Sequence, residues 1–169
     1  STTGATRALL ADDSRLSRTV LRRVLETDPR IRIVGEAASG EEAICSARRL
    51  TPDIVLMDIV MPGVGGLEAT REIMASSPCP VLIVSARIGG PTDLSFEALR
   101  AGALEVVGKP SPEELADRAY VDRFTRRVRR LAEIPVVTLH RRRETAARRP
   151  PLMRSGRPAG ANVELVCLG

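Results

Sequence analysis

Aromatic side chains are almost missing: the 169 residues hold no tryptophan, one tyrosine and two phenylalanines. A core built from this chain is therefore aliphatic, and the basic stretch beyond Pro135 has no interleaved rings of the kind that stack on nucleobases. Histidine occurs once, at His140 in a basic stretch, so a Ser-His-Asp constellation cannot be assembled from the residues present. Cys45, Cys79 and Cys167 are odd in number and without motif spacing, which favours reduced thiols over a disulfide or a zinc site. No run approaches the roughly 18 apolar residues of a membrane span, and no signal peptide opens the chain. Both absences point to the cytosol. There is no internal repeat and no long low-complexity tract, and the length suits a single core, with about 125 residues enough for a five-strand, five-helix unit.

Lysine is scarcest among the charged residues. Lys109 is the only one among 26 basic groups, and it follows the apolar run Leu104 to Val107 in Gly108-Lys109-Pro110. A chain that uses arginine almost everywhere keeps one compact, mobile ammonium here, the kind of cation that meets a single phosphoryl oxygen rather than forking onto two.

What is present is a set of short apolar runs that end in polar residues. Ala8-Leu9-Leu10-Ala11 ends in Asp12-Asp13, Ile54-Val55-Leu56-Met57 in Asp58, and Val81-Leu82-Ile83-Val84 in Ser85. Each is followed by a helical pattern, which predicts buried parallel strands alternating with crossover helices. The fold class expected is a doubly wound α/β domain, a five-stranded parallel sheet with helices on both faces. Parallel strands bring their carboxyl ends to one crevice, which gathers Asp12, Asp13, Asp58, Ser85 and Lys109. Three carboxylates about 4 Å apart repel by roughly 4 kcal/mol per pair at an effective dielectric of 20, so the pocket demands protons or a divalent cation. An all-oxygen ligand set with few protein ligands favours magnesium. Taken singly, the Asp pair also suits a helix cap and Asp58 a turn; five such residues at successive strand ends suit a site.

The helices have start and stop signals. Ser14 caps a helix from Arg15 to about Thr27, and Ile31 to Ala37 is the second strand. Further helices are expected over Gly40 to Leu50, Leu67 to about Ser77 before Pro78, and Thr92 to Ala101 before Gly102. Ser111-Pro112-Glu113-Glu114 opens a fifth, whose inward face Ala116, Tyr120, Phe124 and Val128, with Leu131 next, runs on into the basic region.

Charge divides the chain. Residues 1–117 hold 13 basic and 17 acidic groups, and residues 118–169 hold 13 basic and 4 acidic. The layout expected is a domain over residues 1–130, an Arg/Pro-rich linker over 131–161, and a single trailing strand over 162–169, where Val163 to Gly169 reads as a strand running into a glycine turn.

Leu9-Leu10-Ala11-Asp12-Asp13-Ser14, Asp58-Ile59-Val60-Met61-Pro62-Gly63, Val84-Ser85-Ala86 and Gly102-Ala103 through Lys109-Pro110 together resemble the receiver domains of two-component response regulators, over residue 7 to about 130. The resemblance implies the flavodoxin-like receiver fold and an Asp58 that accepts a phosphoryl group from a histidine kinase. It also implies Mg2+ held by Asp13 and Asp58, by Asp12 through water, and by the Val60 backbone carbonyl, with Lys109 and Ser85 meeting the phosphoryl oxygens. One position departs from the pattern: Val106 stands where the family usually has Phe or Tyr, the residue that swings inward when the serine or threonine moves.

Lys109-Pro110-Ser111, the run Ser77 to Ser85 and the terminal strand look most like the regulatory half of a chemotaxis protein-glutamate methylesterase. That subtype implies a methylesterase domain in cis, beginning at the trailing strand, and chemoreceptors reached through it. The chain stops before the catalytic serine of that family would appear, so this polypeptide is expected to have no methylesterase activity of its own. The alternatives are the receiver of a DNA-binding transcriptional regulator and a degenerate receiver used only for binding. Arginine and proline clustering after residue 135 disfavours a helix-turn-helix, and nucleic acid is not the expected partner.

Overall fold

The computed structural model describes residues 4–86 and 94–136. Five strands alternate with helices: β1 Thr6–Ala11, α1 Arg15–Leu25, β2 Ile31–Ala37, α2 Gly40–Leu50, β3 Ile54–Met57, α3 Gly66–Ser76, β4 Val81–Ser85, α4 Ser95–Ala101, β5 Glu105–Gly108, α5 Pro112–Ala116 and α6 Arg118–Ala132. The strands form one parallel sheet in the order β2-β1-β3-β4-β5. This is the doubly wound architecture that the alternation of apolar runs predicts. The order reverses beside β1, and there the crevice opens.

The period of two along each strand splits the core into two layers. Leu9, Ala11, Val55, Met57, Val81 and Ile83 face α2, α3 and α4, packing on Ala43, Ile44, Ala47, Ala69, Ile73 and Ala98. Ala8, Leu10, Ile54, Leu56, Leu82 and Val84 face the other way, onto Leu21, Val24 and Leu25 of α1 and Phe124 and Val128 of α6. The core is aliphatic as the composition requires. Phe124 is buried and stacks with Tyr120, while Phe96 stays exposed.

Caps account for most helix ends. The Ser14, Ser39 and Ser111 hydroxyls accept the N–H of Ser17, Glu42 and Glu114, and Gly102 closes α4 in the left-handed region at φ 109°. One expectation fails here. The fifth helix is not continuous, because Asp117 turns extended at φ −84°, ψ 107° and its carboxylate accepts the Ala119 N–H, ending α5 and capping α6. An aspartate that bonds the backbone two residues ahead competes with the helix and starts another. The break leaves Ala116 exposed and puts Leu115, with Tyr120, Phe124, Val128 and Leu131, on the inward face.

Cys79 is a buried free thiol, whose pKa burial pushes up to about 11. No helix of the described residues is long and apolar enough to cross a membrane. The expected helix start at Thr92, His140, the linker beyond residue 136 and the trailing strand lie outside the described residues.

Candidate functional site

Backbone pairing carries one residue past each strand end and so sets the site. The Asp12 N–H donates to the Ala37 carbonyl at 3.0 Å, and the Asp58 N–H to the Ala11 carbonyl at 2.8 Å. The two aspartates therefore leave neighbouring strands side by side. Asp12 and Asp58 are buried and Asp13 is exposed, and one carboxylate oxygen from each of the three lies within 4.8 Å of the others. Lys109 is placed in the same way, its N–H donating to the Ser85 carbonyl at 3.1 Å, with Ser85 itself buried at the end of β4.

The Lys109 ammonium is the cation of this pocket. Its Nζ lies 2.6 Å from Asp12 Oδ2 and 2.9 Å from Asp58 Oδ2. Burial alone would lower its pKa; the hydrogen bonds and charges of Asp12 and Asp58 outweigh that and raise it. One ammonium facing three carboxylates leaves the pocket anionic. Asp12 Oδ1 accepts the Ser14 N–H at 2.9 Å, whereas the buried Asp12 Oδ2 has no hydrogen bond of good geometry beyond its close contact with the ammonium. An under-satisfied buried oxygen, two more carboxylates and only oxygen donors make a set that fits a hard divalent cation.

The segment after β3 shapes the other wall. Ile59 and Met61 are buried and Val60 is half-exposed between them. Gly63 takes a left-handed φ of 68°, and the Gly66 N–H returns to the Ile59 carbonyl at 2.9 Å. Gly66 approaches so closely that a Cβ there would lie 1.8 Å from the Asp58 carbonyl oxygen. The loop carrying Val60 is thereby pinned beside Asp58. Val106 is partly buried and packs against the layer that contains Met57 and Ile83.

Four of the residues singled out from sequence, Asp12, Asp13, Asp58 and Lys109, converge on one pocket, and Ser85 ends the strand beside it. Sequence reasoning missed two neighbours on α1. Arg18 donates to the Asp12 carbonyl at 2.6 Å and to Glu36 at 3.0 Å, bracing the acidic loop, and Ser17 accepts from Lys109 Nζ at 3.3 Å. Nothing in the local pattern marks them, since Ser17 meets a partner 92 residues away.

Comparison with known proteins agrees with this fold. Residues 8–120 match the response regulator receiver domain. The chain belongs to that family. A receiver of similar sequence is the response regulator domain of Thermotoga maritima CheB, 32% identical with a TM-score of 0.67 over 78% of this chain and 98% of that one. CheY of Borrelia burgdorferi, solved in a complex with CheX, BeF3 and magnesium, is 30% identical with a TM-score of 0.60, over 72% and 87%. Among full-length proteins, protein-glutamate methylesterase/protein-glutamine glutaminase 3 of Myxococcus xanthus is 40% identical over 94% of this chain and 43% of its own length. The receiver thus spans less than half the length of the curated relatives it matches.

Proposed function

We propose that this receiver accepts a phosphoryl group on Asp58 from a histidine kinase and thereby controls a chemotaxis protein-glutamate methylesterase domain in the same polypeptide. The observation that carries the chemistry is the convergence of Asp12, Asp13, Asp58 and Lys109 on one pocket. An Asp58 carboxylate oxygen attacks phosphorus while the donor's phosphorus–nitrogen bond breaks, and the imidazole leaves. Lys109 gives up its bond to Asp58 and pairs with a phosphoryl oxygen, and the Ser85 hydroxyl donates to another. Asp12, Asp13, Asp58 and the Val60 carbonyl are the groups that would hold Mg2+. When bound, the metal supplies the positive charge that a three-carboxylate pocket with one ammonium lacks and screens the incoming phosphoryl group.

The methylesterase assignment is supported by the similarity to curated methylesterases along nearly the whole chain and to the CheB receiver. In this reading residues 1–130 are the receiver, 131–161 a basic tether rather than a nucleic-acid reader, and 162–169 the first strand of the catalytic domain. Chemoreceptors are reached through that domain, and the protein works in the cytoplasm.

The test is intact-mass measurement after incubation with acetyl phosphate and magnesium. One added phosphoryl group is expected, absent in Asp58→Asn and after chelation. Equal labelling of the Asp58→Asn protein overturns the assignment of the acceptor.

A further inference from the structure

Three hydrogen bonds and one ion pair close a ring around the site. Lys109 Nζ meets Asp12 Oδ2 at 2.6 Å, and Asp12 Oδ1 accepts the Ser14 N–H at 2.9 Å. Ser14 Oγ accepts the Ser17 N–H at 3.3 Å as the cap of α1, and Ser17 Oγ accepts from Lys109 Nζ at 3.3 Å. Asp58 Oδ2 at 2.9 Å and Ser17 Oγ accept hydrogen bonds from the ammonium, and Asp12 Oδ2 pairs with it by charge.

We propose that Ser17 is a positioning residue for the phosphoryl-transfer chemistry, holding the Lys109 ammonium in the pocket through its hydroxyl. The inference rests on the reading of Asp58 as phosphoacceptor. When a phosphoryl group arrives, the bond from Lys109 to Asp58 must be exchanged for one to a phosphoryl oxygen. Asp12 and Ser17 are then the two contacts that persist and fix where the ammonium points. Asp12 attracts by charge from a buried site, and Ser17 supplies direction as a neutral acceptor on the first turn of a capped helix. Lysine has a flexible four-carbon stem, so direction is what it lacks on its own. Ser17 is suited to the task because its backbone is anchored by the same cap that orders Asp12.

Ser17→Ala removes the acceptor and leaves the helix and its cap in place, since the cap uses the Ser17 N–H. Phosphorylation by acetyl phosphate is expected to slow two- to tenfold, the range for losing one modest hydrogen bond in the reacting state. Ser17→Thr, which keeps the hydroxyl, is expected to restore it. The second readout is hydrogen exchange of the Lys109 side-chain ammonium, followed by NMR in the unphosphorylated protein. It is expected to speed up in Ser17→Ala, and a purely structural role for Ser17 would leave it unchanged in a variant that melts as the wild type does. A wild-type protein that takes no phosphate refutes the phosphoacceptor reading. A wild-type protein that is phosphorylated, with a Ser17→Ala variant matching it in rate and in ammonium exchange, refutes the role of Ser17.

Discussion

Lys109 and Asp58 lie 51 residues apart in sequence, yet the lysine ammonium donates to Asp58 Oδ2 at 2.9 Å while also meeting Asp12 Oδ2 at 2.6 Å. A single point charge bridges two carboxylates from adjacent strands. Arginine would carry the same charge in a planar fork too wide for the gap. Lys109→Arg is expected to remain phosphorylatable but roughly tenfold slower or worse, given what displaced donors cost in charge-stabilising sites. Stopped-flow or mass-resolved phosphorylation kinetics with a small phosphodonor check this, and a rate equal to wild type would show that the ammonium's compactness is irrelevant.

Asp28 ties the start of β2 to α6. Its carboxylate accepts from the Arg30 side chain and N–H and from Arg129 Nε, and these bonds, the Arg30 side chain foremost, bring its pKa down to about 2. A depressed carboxylate pKa adds stability above the unfolded value near 4, and that stability is lost as pH falls toward 2. Asp28→Asn is therefore expected to cost roughly 2 kcal/mol at pH 7 and much less near pH 2. Urea midpoints at both pH values test it; a constant gap between the two proteins contradicts the linkage.

Gly66 has backbone, not flexible side chain, in its way: an added Cβ lies 1.8 Å from the Asp58 carbonyl oxygen and 2.8 Å from its carbon. Neither atom can rotate aside. Gly66→Ala is expected to lose roughly 3 kcal/mol of stability and, in the folded fraction, to slow phosphorylation by displacing Asp58. Denaturant titration and labelling of the same sample give both numbers, and wild-type values in each would contradict the close approach.

The tether reading predicts weak, salt-sensitive binding to duplex DNA, because scattered arginines contact phosphates without reading bases. Fluorescence anisotropy across a salt series is the check. A nanomolar, sequence-selective complex would move the protein to the transcriptional class.

Much of this fold was legible because parallel strands are continuous apolar runs and serine caps are local signals. The strand ends at Ala11 and Met57 put Asp12, Asp13 and Asp58 in one crevice on pattern alone, and Lys109 stands out by composition. The break at Asp117 was less visible, since the same aspartate reads as an ordinary exposed residue of a continuing helix until its side chain is seen bonding the Ala119 N–H. Ser17 and Arg18 were invisible for another reason. Their partners are set by the packing of α1 over the sheet, and tertiary contacts of that range leave no trace in local spacing.

The position of β5 at the end of the sheet order has a consequence for how the domain assembles. In a partial sheet without β5, strands β1 and β3 would bring Asp12, Asp13 and Asp58 together, and their mutual repulsion, roughly 3–4 kcal/mol per pair at the separations present, would oppose it. Lys109, the ammonium that offsets part of this charge, follows the last strand. A sheet lacking β5 therefore gains little by closing the pocket, and docking of the final strand relieves part of the repulsion by setting Lys109 between Asp12 and Asp58.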